Sequence, residues 1–451
     1  MKGSRQIVAL VALLAPLVLP LAACSSALGP AQEPVTITSV VVSLPWLPDH
    51  SAEVQRLTEA FHEANPQIGV QVITISIEEL SQGLADADLL TNPEWGVDVI
   101  MAGAEFLAQL AQAGLVRDLQ PSLDAGRALQ VEDFYAAALD TLRWQGHVYG
   151  LPVEVGPWVM FYNQDLFDAA GVPYPSGNWR WGDFVKVART LAASSTVRFA
   201  FGSWGAQVAA FVYQNEGSIV DDPVAPSMAT LDRPATVEAV RWYVNLALVE
   251  EVMPTPADLA AYATGVGRQQ TIVMADDEAS KAASQAQADL EQAIADGEVG
   301  MWLGRLSDRG GRWQRWAFRW GIVPLPAGRK AATLASMRAC FVTVHAEHFD
   351  QALRWADYVT RHPPLYRGLP AHRAAAATNV VQAQLGSKVE EVLDDLLAGL
   401  EEWLLLPESL DGQAARWLQG PLFAVLEGEQ TVESALEAAQ QQAERALGHE
   451  P

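Results

Sequence analysis

Cys24 has the most clearly prescribed chemistry in this 451-residue chain. It closes the run Leu21-Ala22-Ala23-Cys24, and small residues just before a cysteine suit the narrow cleft of a processing enzyme. Cleavage there would make Cys24 residue one and open it to acylation. Glu105 and Glu154 are the carboxylates to weigh for acid–base work, since glycoside hydrolysis needs only two acids about 5 to 9.5 Å apart. The chain has 54 acids, but neither a Gly-x-Ser-x-Gly nucleophile elbow nor a His-Glu-x-x-His metal motif. His345 and His348 stand three apart in His345-Ala346-Glu347-His348. They follow a strand-like run without further obvious ligands, so a solvated strand end explains them better than a metal. Gly265-Val266-Gly267-Arg268 is too short and wrongly placed for a phosphate loop. The residues therefore predict no catalytic group, no metal site and no cofactor.

The elements around these residues say where they act. Lys2 and Arg5 form a small positive start, and Ile7 to Pro20 is almost wholly apolar, shorter than the roughly 20 residues of a spanning helix. With the cysteine at its end, the segment resembles a bacterial lipoprotein signal (1–23), followed by a Ser-, Ala-, Gly- and Pro-rich lipidated tether (24–34). A plain secretory peptide or an uncleaved anchor is the alternative. Lipid on Cys24 would hold the protein at the outer face of the cell membrane, at about 0.8 kcal/mol per buried methylene. Cys340 would then be the remaining thiol of the 2 cysteines, so no intrachain disulfide is expected even in an oxidising compartment.

Composition narrows the partners. The formal net charge of -25 becomes -27 if Lys2 and Arg5 leave with the signal, and no basic run interleaved with aromatics occurs. A polyanion would be repelled, which excludes nucleic acid. The roughly 425 residues after the signal exceed the size at which single cores stop growing, so two domains are expected. Val35 to Leu44 reads as a strand, Ser51 to Asn65 as a helix with Ser51 as N-cap, and Gly69 to Ile77 as a second strand. Asp98 to Met101 follows as a short buried strand, then Glu105 to Ala113 as a helix closed by Gly114. This alternation predicts an α/β fold with a largely parallel sheet and its function in loops after strands.

The middle of the chain carries a recognisable order of segments. Tyr149-Gly150-Leu151-Pro152 precedes an apolar strand, then Phe161-Tyr162-Asn163-Gln164-Asp165-Leu166-Phe167, Ala170-Gly171-Val172 and Trp181-Gly182-Asp183-Phe184. Gly96 to Ile100, Leu110 to Leu115, Gln214 to Gly217, Val237 to Tyr243, Gly321 to Pro326, Leu369-Pro370 and Val432 to Leu436 extend the pattern in sequence. Together they resemble the extracellular solute-binding proteins of carbohydrate ABC importers, the maltose-binding-protein-like group. The resemblance covers nearly all of Val35 to Leu447. It implies a two-lobed periplasmic-binding-protein-like fold with a hinge and an interlobe ligand cleft. One α/β lobe would hold 35–151 plus 339–372, the other 152–338 plus 373–451. It further implies an extracytoplasmic, lipid-anchored monomer without enzymatic activity, which captures a solute, a carbohydrate above all, and delivers it to ABC permease subunits. A sensor or scaffold of the same fold, or a binder of a polyol or glycerophosphodiester, is the alternative.

A sugar offers apolar ring faces edged by hydroxyls, so its binder needs flat aromatics beside carboxylates, amides or guanidinium groups. Trp46, directly after the first strand, is the best stacking residue, and Asp49 could accept a hydroxyl. By the resemblance, Glu105 lies in a ligand-contacting loop, Glu154 and Trp158 flank the first lobe crossing, and Trp204 and Gln207 sit in a contact loop; Trp158, next to Val159 and Met160 in an apolar strand, reads equally well as core. Arg305 follows the strand Val299 to Leu303, Arg338 lies at the later crossing, and Trp417 is on a late helix that brings an aromatic to the cleft. Arg305 and Arg338 together suggest an anionic sugar. Tyr162, Asn163, Phe167, Trp181 and Phe184 read as scaffold, with Asn163 capping the helix after it. Trp313, Trp316 and Trp320 read as a structural cluster with Arg312, Arg315 and Arg319 as cation–π partners. The Ala/Gln-rich stretch between Thr255 and Gly297 reads as an elaborating helix on the second lobe.

Overall fold

Valine, isoleucine and threonine make up most of Val35–Ser43 (β1), where branched side chains pack well on a pleated surface. β2 (Ile68–Ser76) pairs with it in parallel, from Val35 opposite Ile68 to Ser43 opposite Ser76. The helix Ser51–Ala64 supplies the crossover that parallel neighbours require, and starts at Ser51 itself. β3 (Val97–Gly103) lies parallel on the other side of β1. Ala104–Phe106 is a single 3-10 turn and the α-helix runs only from Leu107 to Gln112, so Glu105 stands in the turn leaving β3, not in a helix. β4 (Arg143–Trp144) and β5 (His147–Val148) form a small separate hairpin. The computed structural model describes residues 35–43, 51–86, 96–126, 129–203, 207–223, 226–266, 278–311, 315–363, 368–378, 387–407 and 409–448. Cys24, Trp46, Asp49, Trp204, Arg312 and Trp313 lie outside the described residues, as do the signal and tether segments.

β6 (Leu151–Asn163) joins the two halves of the molecule, and all 13 of its residues are buried. Its first part pairs antiparallel with β10 (Ala332–Val342), from Leu151 opposite Cys340 to Pro157 opposite Ala335. From Trp158 onward its partners are β8 (Val299–Arg305) and β9 (Trp320–Val323). β7 (Phe199–Gly202) runs parallel to β8. β10 also changes partners: Arg338 to Val342 pair with β3, whereas Ala332 to Ala335 pair with β12 (Leu404–Pro407). β11 (Leu369–Pro370) lies against β6 at Val155 and Glu154. The strand order β2-β1-β3-β10-β6-β8-β7 therefore runs from one half to the other through two long, shared strands. The expected division at 338/339 coincides with an irregularity in β10, where the register against β6 shifts between Arg338 and Ala339.

Each half has its own aromatic anchor. In the first, Trp355 on the helix Phe349–Arg361 is fully buried, with Phe61 edge-on at 5.1 Å, among Ile37, Val99 and Val342. In the second, Phe161 on β6 stacks on Trp302 at 5.9 Å and meets Trp316 edge-on at 5.1 Å. Trp316 and Trp320 are thus structural, as the sequence suggests, but Arg319 is engaged elsewhere. Its guanidinium pairs with Asp165 at 2.6 Å and Asp168 at 2.7 Å, two carboxylates on one helix that compete better for it than a ring does. Asn163 caps that helix, Gln164–Ala170, accepting from Asp165 N at 3.0 Å and Leu166 N at 3.2 Å. The Ala-rich helix Glu278–Ala295 packs onto the second half, its Leu290 against Gly202 of β7. Among the described residues no helix is long and apolar enough to cross a membrane.

Candidate functional site

Three adjacent strands bring three of the expected residues into one row. Gly103 of β3 lies opposite Arg338 of β10, and Arg338 lies opposite Glu154 of β6. Residues directly opposite in a ladder show their side chains on the same face. Gly103 has no side chain, and the Glu105 carboxylate fills the space a Cβ there would need. Glu105 therefore overhangs the same row as Arg338 and Glu154. Ser43, at the end of β1, is level with Gly103, because Val41 pairs with Met101 two residues earlier. Arg338 is half-buried, with Nη2 3.2 Å from Met101 Sδ. Glu154 is only 5 % exposed and accepts a hydrogen bond from the Gly368 backbone N–H. Gly368 is itself dictated by that approach, since a Cβ would meet the Glu154 side chain and the Val155 carbonyl.

The row continues along β6. Gly156 lies opposite Ser336, whose Oγ occupies the space over the glycine. Trp158, two residues further, faces Arg305 of β8, whose guanidinium lies 5.1 Å from the ring centre. Glu154, Gly156 and Trp158 share a face by alternation and span roughly 13 Å, crossing the point where β6 changes partners. Trp158 is 4 % exposed, and its indole Nε1 has no hydrogen-bond partner among the described residues. A buried donor left in that condition costs about 1–3 kcal/mol.

The other expected residues have different surroundings. Gln207 is half-buried at the end of a relay in which Tyr243 OH donates to Ser203 Oγ at 2.9 Å and Ser203 Oγ to Gln207 Oε1 at 2.8 Å. Trp417, on the helix Ser409–Leu426, is 2 % exposed in the larger core, and its Nε1 too lacks a partner among the described residues. Neither is part of the strand row. His348 precedes the helix Phe349–Arg361, and among the described residues no group of three or more His, Cys, Asp or Glu side chains could hold a metal ion.

Sequence reasoning overlooked the glycines that make room for the row, Gly103, Gly156 and Gly368. It also overlooked His372. That residue is 1 % exposed at the end of β11, accepts from Ala374 N through Nδ1 at 3.1 Å and meets Phe134 edge-on at 5.1 Å. Burial, aided by the nearby Arg361 charge, lowers its pKa from 6.5 to about 4. A His directly before a short helix was the available signal, because the cap position favours an acceptor.

Known proteins resemble the chain in sequence and in fold. The sequence profile of the family described as bacterial extracellular solute-binding protein matches residues 45–363. A provisionally named binding protein of Brucella abortus (strain 2308) is 28 % identical over 162 residues. That match spans 35 % of this chain and about 37 % of the length of the curated relative. An ABC substrate-binding protein from Listeria monocytogenes, solved in complex with cycloalternan, superposes with a TM-score of 0.62 at 21 % identity, over 93 % of this chain and 100 % of the other. The sugar-binding protein MalE from Xanthomonas citri gives a TM-score of 0.67 at 18 % identity, over 91 % and 97 % of the two chains.

Proposed function

The chain belongs to the bacterial extracellular solute-binding protein family, and from that premise we propose that it captures a neutral carbohydrate across the strand row and delivers it to an ABC import permease. The observation that carries this is the placement of Glu154, Trp158 and Arg338 on the two strands that both halves share, with Glu105 over them from the turn after β3 and Arg305 beside them on β8. A solute held there touches both lobes of the fold. Its differential affinity for the closed over the open arrangement would drive closure, and closure is what a permease would read. The lobes would divide as 35–151 plus 339–372 and 152–338 plus 373–451, with the hinge in β6, β10 and the segment after β11. Acylated Cys24 would hold the receptor at the membrane.

The charge of the row revises the ligand class expected from the two arginines. Arg338 lies between the carboxylates of Glu154 and Glu105, and Arg305 covers an indole ring. Two guanidinium groups and two carboxylates leave the row without net charge, so it suits hydroxyls, which both donate and accept, better than an added anion. The cycloalternan complex of the Listeria protein and the sugar-binding name of the Xanthomonas protein support a carbohydrate. Thermal melting of the chain from Ser26 to Pro451 against neutral oligosaccharides, polyols and uronates tests this. A saturable rise in Tm with a neutral oligosaccharide is expected, because a ligand that binds only the folded state must stabilise it. Stabilisation by uronates alone would reverse the charge argument.

A further inference from the structure

We infer that the second half carries a separate surface groove for a short neutral oligosaccharide, between the helices Trp181–Ala192 and Pro234–Leu248. A hollow of about 480 Å³ lies there. Gly182, Lys186 and Arg189, at helical spacing of four and three, line it from one helix. They span roughly 10 Å of helix, on a different face from Phe184, Ala188 and Leu191, which are buried. Trp242 and Glu250 line it from the other side. None of these residues belongs to the strand row, so the groove is a second site and stands whether or not the row binds sugar.

Its composition matches the two surfaces of a sugar. Trp181 and Trp242 stack with ring centres 3.9 Å apart and planes 15° from parallel. Trp181 Nε1 donates to Gln214 Oε1 at 2.7 Å, which fixes the plane of that indole. Both rings are half-buried and line the hollow, leaving apolar surface in water at about 25 cal/mol per Å². Beyond the rings the rim is polar and of both signs: Lys186, and the ion pair of Arg189 with Glu250. An anion gains little from a rim whose arginine already has a carboxylate. A flat apolar wall beside mixed donors and acceptors fits the ring face and hydroxyl edge of a neutral glycan. The groove is open, so it retains glycan loosely near the receptor.

Gly182 provides the test, because a Cβ built there meets nothing within 4 Å. Gly182→Leu therefore fills the groove without straining the fold, and replaces a helical glycine with a better helix former. The readout is ¹⁹F NMR of protein labelled with 5-fluorotryptophan, its resonances assigned by single Trp→Phe variants and titrated with maltotriose, cellotriose and xylotriose. The expected result is that at least one of the three shifts the Trp181 and Trp242 signals saturably. Gly182→Leu should then weaken that response at least tenfold, and Glu250→Gln should weaken it too. Trp181 and Trp242 signals unmoved by all three sugars would overturn the groove, as would a response unchanged in Gly182→Leu. The Trp158 signal reports the strand row independently, so failure of either site is seen without the other.

Discussion

Glu154 gives the sharpest predictions at the scale of single residues. It is a buried carboxylate held by the backbone N–H of Gly368, just before β11, and set opposite a guanidinium. Glu154→Gln should leave the fold intact, because an amide still accepts from Gly368, yet weaken sugar affinity by roughly 10- to 100-fold, the worth of one or two charge-assisted hydrogen bonds. Calorimetric titration measures it. Gly368→Ala should instead destabilise by about 1–3 kcal/mol, since the new Cβ would meet the Glu154 side chain and the Val155 carbonyl; urea unfolding reads the difference. His372 sets a pH dependence. Its pKa is about 4 in the folded protein and about 6.5 when unfolded. Between these values the unfolded chain binds a proton that the native chain does not, so stability falls as pH drops from 6.5 to 4, by up to about 1.4 kcal/mol per pH unit. His372→Asn keeps a cap acceptor but cannot titrate, and its melting temperature should fall less over that window. The residue types were legible here before their environments were. Two arginines suggested an anion in the sequence, whereas strand register sets one of them, Arg338, opposite Glu154.

β6 and β10 matter most among the elements, because each pairs with strands of both halves. The apolar run after Leu151 announced β6, and β-branched alternation announced β1 and β2 within a residue or two of their observed ends. The turn at Glu105 was not legible in the same way. Ala, Leu and Gln favour a helix throughout Glu105 to Ala113, but the chain first makes a 3-10 turn as it leaves β3, which carries the Glu105 carboxylate back over Gly103. Nor did the sequence reveal which arginines would stack on tryptophans. Arg319 goes to Asp165 and Asp168, whereas Arg305, eleven residues before Trp316, covers Trp158 on the neighbouring strand. Register across non-consecutive strands decides that, and local spacing does not contain it. Among the helices, Phe349–Arg361 anchors the first half through Trp355. Trp355→Ala should cost about 3–5 kcal/mol for a large buried aromatic, seen as a lowered denaturation midpoint.

At the scale of the whole molecule, a two-lobed fold with two strands passing between its halves is suited to bending at the strands and gripping at their shared face. The order of segments along the chain was enough to expect that architecture, and the family match over residues 45–363 establishes it as the chain's kinship. The proposed ligand face gathers Glu105, Glu154, Trp158, Arg305 and Arg338, while Gln207 ends a hydrogen-bond relay and Trp417 is buried in the larger core. The central claim is that a solute bridging the halves grips this row. The most direct measurement is small-angle X-ray scattering of the chain with and without its best stabilising neutral oligosaccharide, for the native sequence and for Glu154→Gln with Arg338→Met. A smaller radius of gyration is expected on saturation of the native protein, with no change in the double variant at the same sugar concentration. Equal compaction in both proteins, or none in a native protein saturated with sugar, would contradict it.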